Sequence, residues 1–359
     1  MRRIFLLIHR LCGGVSERLL IFFIGVVTAC ITWQIFTVSV KYGYRLFISQ
    51  IGREFYVDDE WLGSWHGANK ILYVPERYWA SADVPIVQHT DQLGRRVTVQ
   101  PPEDDYQSFA LFAPDSLLFG INVSDDQTVS SRFAEIIAGE KIKAYNYGKA
   151  SWGPGNMLAL MTDPRFPSGI PEKRGFVIYS FNDLHILRAA CWPFLFKLLP
   201  SLQLPKYVLD ANDTVRRVGI VNSNDVLGAT ASKSSDDQYV QFDMYDDGIK
   251  WLMDHKEELR LTARLIAEAN TEFQKRFDSQ GFFVIFLPQS RYVDEMKALL
   301  EPMGIHCLDY IGLLTGVHSN LRCGNGPCLQ SDGMHPTANG NLTIAEKLVQ
   351  DLTRFGVLP

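Results

Sequence analysis

Four short pieces of this chain carry groups that can do chemistry together. Ser116 stands in Ala113-Pro114-Asp115-Ser116-Leu117-Leu118-Phe119-Gly120, and its hydroxyl becomes a nucleophile once a base takes its proton. Asp332 and His335 lie three apart in Ser331-Asp332-Gly333-Met334-His335-Pro336. On one turn, that carboxylate can fix the imidazole tautomer and leave Nε2 to accept a proton. Gly148, in Tyr147-Gly148, lets a backbone N–H approach a substrate oxygen closely. Asn182, in Phe181-Asn182-Asp183, offers an amide donor to the same oxygen, and the Ser116 N–H is a third. Alone, each piece has a plainer reading: helix caps at Asp115-Ser116 and Asn182, a turn at Gly148, a chance spacing at Asp332 and His335. Together they are the parts of acyl transfer through an acyl-serine.

These groups need a scaffold to bring them together. Apolar runs at 108–114, 142–148, 174–182, 281–288 and 304–310 read as strands. Helical patterns lie at 125–140, 153–162, 246–277, 290–302 and 337–354. Fully apolar strands alternating with helices predict an α/β fold, a parallel sheet covered on both faces. Ligands bind such sheets at the carboxyl ends of the strands. Ser116, Gly148 and Asn182 each follow one of three successive strands, and His335 precedes the last helix. Segment 184–245 is expected to be an insertion with an aromatic piece (CWPFLFKLLPSL), a hairpin in KYVLDANDTVRRVGIV and a loop at SKSSDD. Residues 41–105 read as a small irregular or β subdomain, with a hairpin in 84–99 around Asp91–Gly94.

The order and placement of these blocks resemble the SGNH/GDSL hydrolase superfamily, over about 107–356 apart from 184–245. The resemblance implies a three-layer α/β/α sandwich with a flavodoxin-like parallel sheet in a domain at 106–359. It implies Ser116 as nucleophile, His335 as base and Asp332 as the acid of a triad. Gly148, Asn182 and the Ser116 N–H would form the oxyanion hole. It also implies esterase or O-acyltransferase activity without a cofactor. The chain departs from the pattern at Pro114, where the family carries glycine, and at Phe181, a large residue that would narrow the site. Trp152, Asn156, His185 and Arg188 are weaker candidates to line the substrate cleft, with packing or surface roles as alternatives.

The N-terminus reads as a membrane anchor. Leu19–Val40 is a run of 22 residues without charge, preceded by Arg2, Arg3, Arg10 and Arg18 against Glu17 alone. A helix of that length rises roughly 33 Å, enough to cross a hydrocarbon core of about 30 Å. The positive-inside rule keeps residues 1–18 cytoplasmic and the body on the far side. A cleaved signal peptide is the alternative, but the run is long and no small-x-small site follows it. Packing of Trp33 and Gln34 against partner helices is a further possibility.

The 359 residues are 47% hydrophobic and 21% charged, an ordinary globular balance. The net charge of −5, with no basic block in the body, excludes the usual footprint of nucleic-acid binding. Six cysteines occur, and Cys323 and Cys328 close the loop CGNGPC, a local disulfide in an oxidising compartment. A zinc site with His306 or His318 is the alternative, although no finger spacing supports it. No cofactor motif and no carboxylate cluster for calcium or magnesium is present. His66, His89, His255 and His306 read as structural or exposed, and Arg95 and Arg96 as surface charges. Sequons at Asn122, Asn212 and Asn341 read as chance, since a glycan at Asn122 would crowd Ser116.

Topology and resemblance together give the expected protein. It sits in a bacterial inner membrane by one helix and places a serine esterase or O-acyltransferase in the periplasm, acting on acyl, foremost acetyl, esters of envelope or exported glycans or glycolipids. Envelope protein partners are compatible with that placement. A lipase-like enzyme with 191–200 as a lid is one alternative. Another is a non-catalytic glycan-binding or assembly subunit that keeps the fold, favoured by the tryptophans of 61–79.

Overall fold

The computed structural model describes residues 55–74, 86–103, 105–121, 123–199, 202–227, 256–288, 290–314, 323, 327–330 and 334–359. The expected anchor at 19–40 and the stretch before it lie outside these residues. Among the described residues no helix is long and apolar enough to cross a membrane. Phe55–Pro359 form one unit.

Its centre is a five-stranded sheet. The strands are β5 (Ser108–Phe112), β6 (Ile142–Asn146), β7 (Arg174–Phe181), β10 (Asp278–Phe286) and β11 (His306–Asp309). All pairs are parallel. The spatial order is β11-β10-β7-β5-β6. Counted along the chain this is 2-1-3-4-5, the flavodoxin-like order, which reverses direction next to β5. All five strands were legible as apolar runs because both faces of the sheet are covered.

Alternate residues feed two cores. Phe109, Leu111, Val177, Tyr179, Val284 and Phe286 face α3 (Pro154–Thr162), α4 (Leu184–Ala189), α7 (Glu257–Arg276) and α8 (Val293–Leu300). Ala110, Phe112, Phe176, Ile178, Phe283 and Ile285 face α2 (Val129–Ile136) and α9 (Ala338–Arg354). The unit Phe55–Pro359 is therefore built around a helix–sheet–helix sandwich.

Some boundaries differ from expectation. The helix expected at 125–140 is a 3₁₀ turn, Asp125–Gln127, followed by α2. The break falls at Thr128, extended at φ −71° and ψ 158°, whose side chain accepts the Ser131 N–H and starts the new helix. The turn at Asp91–Gly94 forms, with the Gly94 N–H donating to Asp91 O. However, β4 (Ile86–His89) pairs with β3 (Ile71–Val74) rather than with 96–99. The second arm keeps only the Thr90–Arg96 bridge, because Arg96 also bridges to Asn146 and turns its guanidinium inward to Asp125.

A second hairpin, β1 (Tyr56–Asp59) with β2 (Gly63–His66), packs beside the sheet. Trp61 Nε1 donates to Ala159 O of α3 at 2.8 Å. Within 184–245, β8 (Gln203–Leu209) and β9 (Val215–Asn222) form the expected hairpin, preceded by α5 (Pro193–Leu198) and followed by α6 (Ser223–Leu227). The SKSSDD loop lies outside the described residues.

Candidate active site

Register fixes the height of the groups. Phe112 pairs with Asn146 on one side and Ile178 on the other. Ser116 and Asn182 each stand four residues beyond that rung, and Gly148 two beyond it. All three follow the carboxyl ends of adjacent strands.

The turn that carries Ser116 is built by Asp115. Its backbone is extended at φ −158° and ψ 178°, and its Oδ1 accepts the Leu118 N–H at 2.6 Å. The helix it starts, α1 (Ser116–Phe119), is one turn long and ends at Gly120 in the left-handed conformation, φ 72°. The capping role of Asp115 is thus present beside Ser116, not instead of it. Burial pushes the Asp115 carboxyl up to about 8, against the N–H groups of Leu118 and Leu117 and the charge of Arg188. Its Oδ2 has no hydrogen-bond partner among the described residues. Pro114, where an N–H is lost, leaves this turn intact.

His335 Nε2 lies 3.1 Å from Ser116 Oγ, within hydrogen-bond reach. The segment that carries His335 is pinned along its backbone. Gln330 N–H donates to His335 O at 2.8 Å, Leu329 bridges Pro336, and Thr337 N–H donates to Cys328 O at 2.9 Å. Thr337 then caps α9 by accepting the Gly340 N–H. Cys323 and Cys328 form a disulfide, with Cα atoms 5.4 Å apart, so these sulfurs are not metal ligands. Asp332, the expected acid, lies outside the described residues.

Two of the three expected oxyanion donors are open. The Ser116 N–H finds no acceptor among the described residues. Asn182 is buried, and its Oδ1 accepts the Leu184 N–H at 3.0 Å. That contact fixes which end of the amide is oxygen and leaves Nδ2 without an acceptor among the described residues. Gly148 differs from expectation, because its N–H donates to Asn146 Oδ1 at 2.8 Å. The glycine is required for a second reason: a Cβ there would stand 2.3 Å from Phe119 N and 2.4 Å from Phe119 Cα. The β6 loop therefore leans directly on α1, the helix that begins at Ser116.

The weaker candidates divide. His185 is fully buried, and its Nδ1 lies 2.8 Å from the Tyr179 hydroxyl. Burial, then the charge of Arg188, holds its pKa well below the ordinary value. It is a core group, not a cleft residue. Asn156 Oδ1 accepts the Gly153 N–H at the start of α3, and its Nδ2 donates to Leu62 O. Trp152 is fully buried, its ring 5.1 Å from that of Trp65. Arg188 donates from Nη1 to Trp152 O at 2.9 Å, which ties the helix after Asn182 to the loop after Gly148. Phe181 packs its ring into the core against Phe286 and does not narrow the site.

Several residues here were not singled out from sequence. Asn146 donates from Nδ2 to Leu118 O at 2.7 Å and to Ser130 Oγ at 3.0 Å, joining β6 to α1 and α2. Arg96, read as a surface charge, is 1% exposed and pairs with Asp125 at 2.9 Å beneath the Phe119 ring. His89 also pairs with Asp125. Lys149, directly after Gly148, and His66, whose ring stacks on Phe119, are both buried. Only the position of Lys149, directly after Gly148, was a signal the sequence offered.

No protein-family model matches the chain, and no curated protein does. Among solved structures, it is similar to a catalytic mutant of an acetylxylan esterase from Geobacillus stearothermophilus, at 10% identity and a TM-score of 0.37, covering 71% of this chain and 95% of that one. A GDSL-like lipase from Bacteroides ovatus is similar at 8% identity and a TM-score of 0.35, covering 72% and 56%. An acetyl xylan esterase from Butyrivibrio proteoclasticus is similar at 10% identity and a TM-score of 0.35, covering 71% and 66%. The chemistry below rests on the residues already described, not on these likenesses.

Proposed function

We propose that this chain is a serine esterase or O-acyltransferase for acetyl esters of envelope or exported glycans, held at a membrane by residues 19–40 with its catalytic unit on the far side. The observation that carries the reading is the 3.1 Å approach of His335 Nε2 to Ser116 Oγ at the carboxyl ends of a parallel sheet. The resemblance of the Ser116, Gly148, Asn182 and His335 blocks to SGNH/GDSL hydrolases supports it. A nucleophile only 6% exposed favours a small acyl group such as acetyl.

In this reading Ser116 Oγ attacks the ester carbonyl carbon while its proton passes to His335 Nε2. The oxyanion is held by the Ser116 N–H and Asn182 Nδ2, with the Gly148 N–H joining if it exchanges Asn146 Oδ1 for substrate. The C–O bond to the leaving alkoxide breaks, and His335 returns the proton to that oxygen. The acyl-Ser116 is then attacked by water or by a sugar hydroxyl, with His335 as base again. Asp332 is assigned the orientation of His335. The same groups serve hydrolysis and transfer.

A fluorophosphonate probe tests the reading on the full chain. Labelling at Ser116 that disappears in His335→Ala supports it. An unlabelled, folded protein refutes it and favours the binding-subunit alternative. One observation already leans that way: the Gly148 N–H is satisfied within the protein. Ser116→Ala separates the two readings in cells, since a binding subunit keeps its function without the hydroxyl.

A further inference from the structure

Lys149 follows Gly148 directly and is 5% exposed. Its ammonium donates to Ser64 Oγ at 3.0 Å and stands 4.4 Å from the ring centre of Tyr56 and 5.2 Å from that of Trp152. Among the described residues no carboxylate pairs with it. A buried cation without a counter-ion is costly, and π faces offset only part of that cost. Burial pushes the Lys149 ammonium down to about 7.

Two further polar atoms in the same cluster have no hydrogen-bond partner among the described residues. Trp152 Nε1 is a buried donor with no acceptor among them. His66 is 1% exposed, and its Nδ1 lies 3.1 Å from Gly94 O, so that nitrogen carries the hydrogen and Nε2 is left as an acceptor. That Nε2 has no partner among the described residues either. Native interiors rarely leave such groups unmatched, and each instance needs a reason. The His66 ring stacks on Phe119 with centres 4.9 Å apart, so the cluster adjoins the nucleophile helix as well as the Gly148 loop. Tyr56 and Ser64, both only partly buried, form its outer wall.

We propose that Lys149, Trp152 and His66 form a subsite for an anionic group, a carboxylate or phosphate, carried by the glycan beside the reacting ester. The proposal rests on the glycan-esterase reading of Ser116. The anion accepts from Lys149 Nζ and Trp152 Nε1, and a neighbouring sugar hydroxyl donates to His66 Nε2. An acidic sugar supplies both kinds of group on one ring. The substrate class is then acyl esters of acidic glycans, not neutral ones.

Calorimetric titration of the full chain in detergent, with unacetylated probes, tests this independently of catalysis. The probes are trigalacturonate for a carboxylate, glucose 6-phosphate for a phosphate and xylotriose as the neutral sugar. Trigalacturonate or glucose 6-phosphate should bind at least tenfold more tightly than xylotriose. Lys149→Met should remove that preference and Lys149→Arg should retain most of it. Dependence on Lys149 for only one anion supports the proposal and names the group. Equal affinity for charged and neutral probes, or a preference that survives Lys149→Met, overturns it. If Lys149→Met does not fold, Lys149→Gln carries the same comparison. A chain inactive toward 4-nitrophenyl acetate would defeat the esterase reading alone, since the titration is decided without turnover.

Discussion

Asn146 Oδ1 accepts the Gly148 N–H at 2.8 Å, while the same side chain donates to Leu118 O and Ser130 Oγ. One buried amide thus joins the end of β6, its own turn and α1, the helix that begins at Ser116. Replacing it with alanine leaves the Leu118 carbonyl and the Gly148 N–H unmatched, at a cost of roughly 1–3 kcal/mol per buried group. Asn146→Ala should therefore lower the melting temperature of the full chain. An Asn146→Ala protein that melts with the wild type would show that this bridge contributes nothing.

Asn182 Nδ2 is the donor most clearly free for substrate. Loss of one oxyanion donor typically lowers kcat about 10²–10³-fold. Asn182→Ala should do so on 4-nitrophenyl acetate with a smaller change in KM. Ser116→Ala should abolish turnover, and His335→Ala should cost a further few orders of magnitude beyond Asn182→Ala. An Asn182→Ala enzyme with wild-type kcat would remove that residue from the reaction.

What was legible in the chain follows from the range of each interaction. The sheet declared itself because strands buried on both faces are apolar throughout, as in RGFVIYSFN and GFFVIFLP. Ser116 and His335, which the structure brings within 3.1 Å, were singled out by their places after a strand and before the last helix, although 219 positions separate them. Arg96 was misread because its partner, Asp125, is distant in sequence and no local pattern marks the pair. His185 was misplaced for a similar reason, since its position after Asn182 gave no sign that the ring turns inward to Tyr179. β1–β3 are four residues each, too short for alternation to reveal them, whereas β4 lies in the first arm of the hairpin expected at 84–99. Gly148 does stand just past the end of β6, but its N–H partner is a side-chain contact that no spacing announces.

The disulfide should act on the base rather than on the fold at large. Cys323–Cys328 closes a loop of sequence separation 5, and Cys328 O receives the Thr337 N–H two residues beyond His335. A cross-link over so short a loop is worth roughly 2 kcal/mol by chain entropy. Cys328→Ser should lower kcat on 4-nitrophenyl acetate more than it lowers the melting temperature of the sheet, read by circular dichroism. Unchanged kcat in a reduced or Cys328→Ser protein would separate the loop from the placement of His335.

Asp115 gives a stability prediction with a defined sign. Its carboxyl is fully buried, and burial pushes it up to about 8 in the folded chain, whereas the unfolded side chain ionises near the ordinary value of 3.8. A raised carboxyl pKa means that the folded state keeps a proton that the unfolded state has lost. The resulting contribution is fully present below about 4 and is lost progressively as pH rises through about 8. Asp115→Asn removes this titration and keeps an oxygen to accept the Leu118 N–H. The melting temperature of the variant should therefore gain on the wild type as pH is raised from about 4 to about 8, with the gap flat beyond. A gap that narrows over that window, or does not change, would mean that Asp115 is ionised in the folded state and that Arg188 offsets its burial.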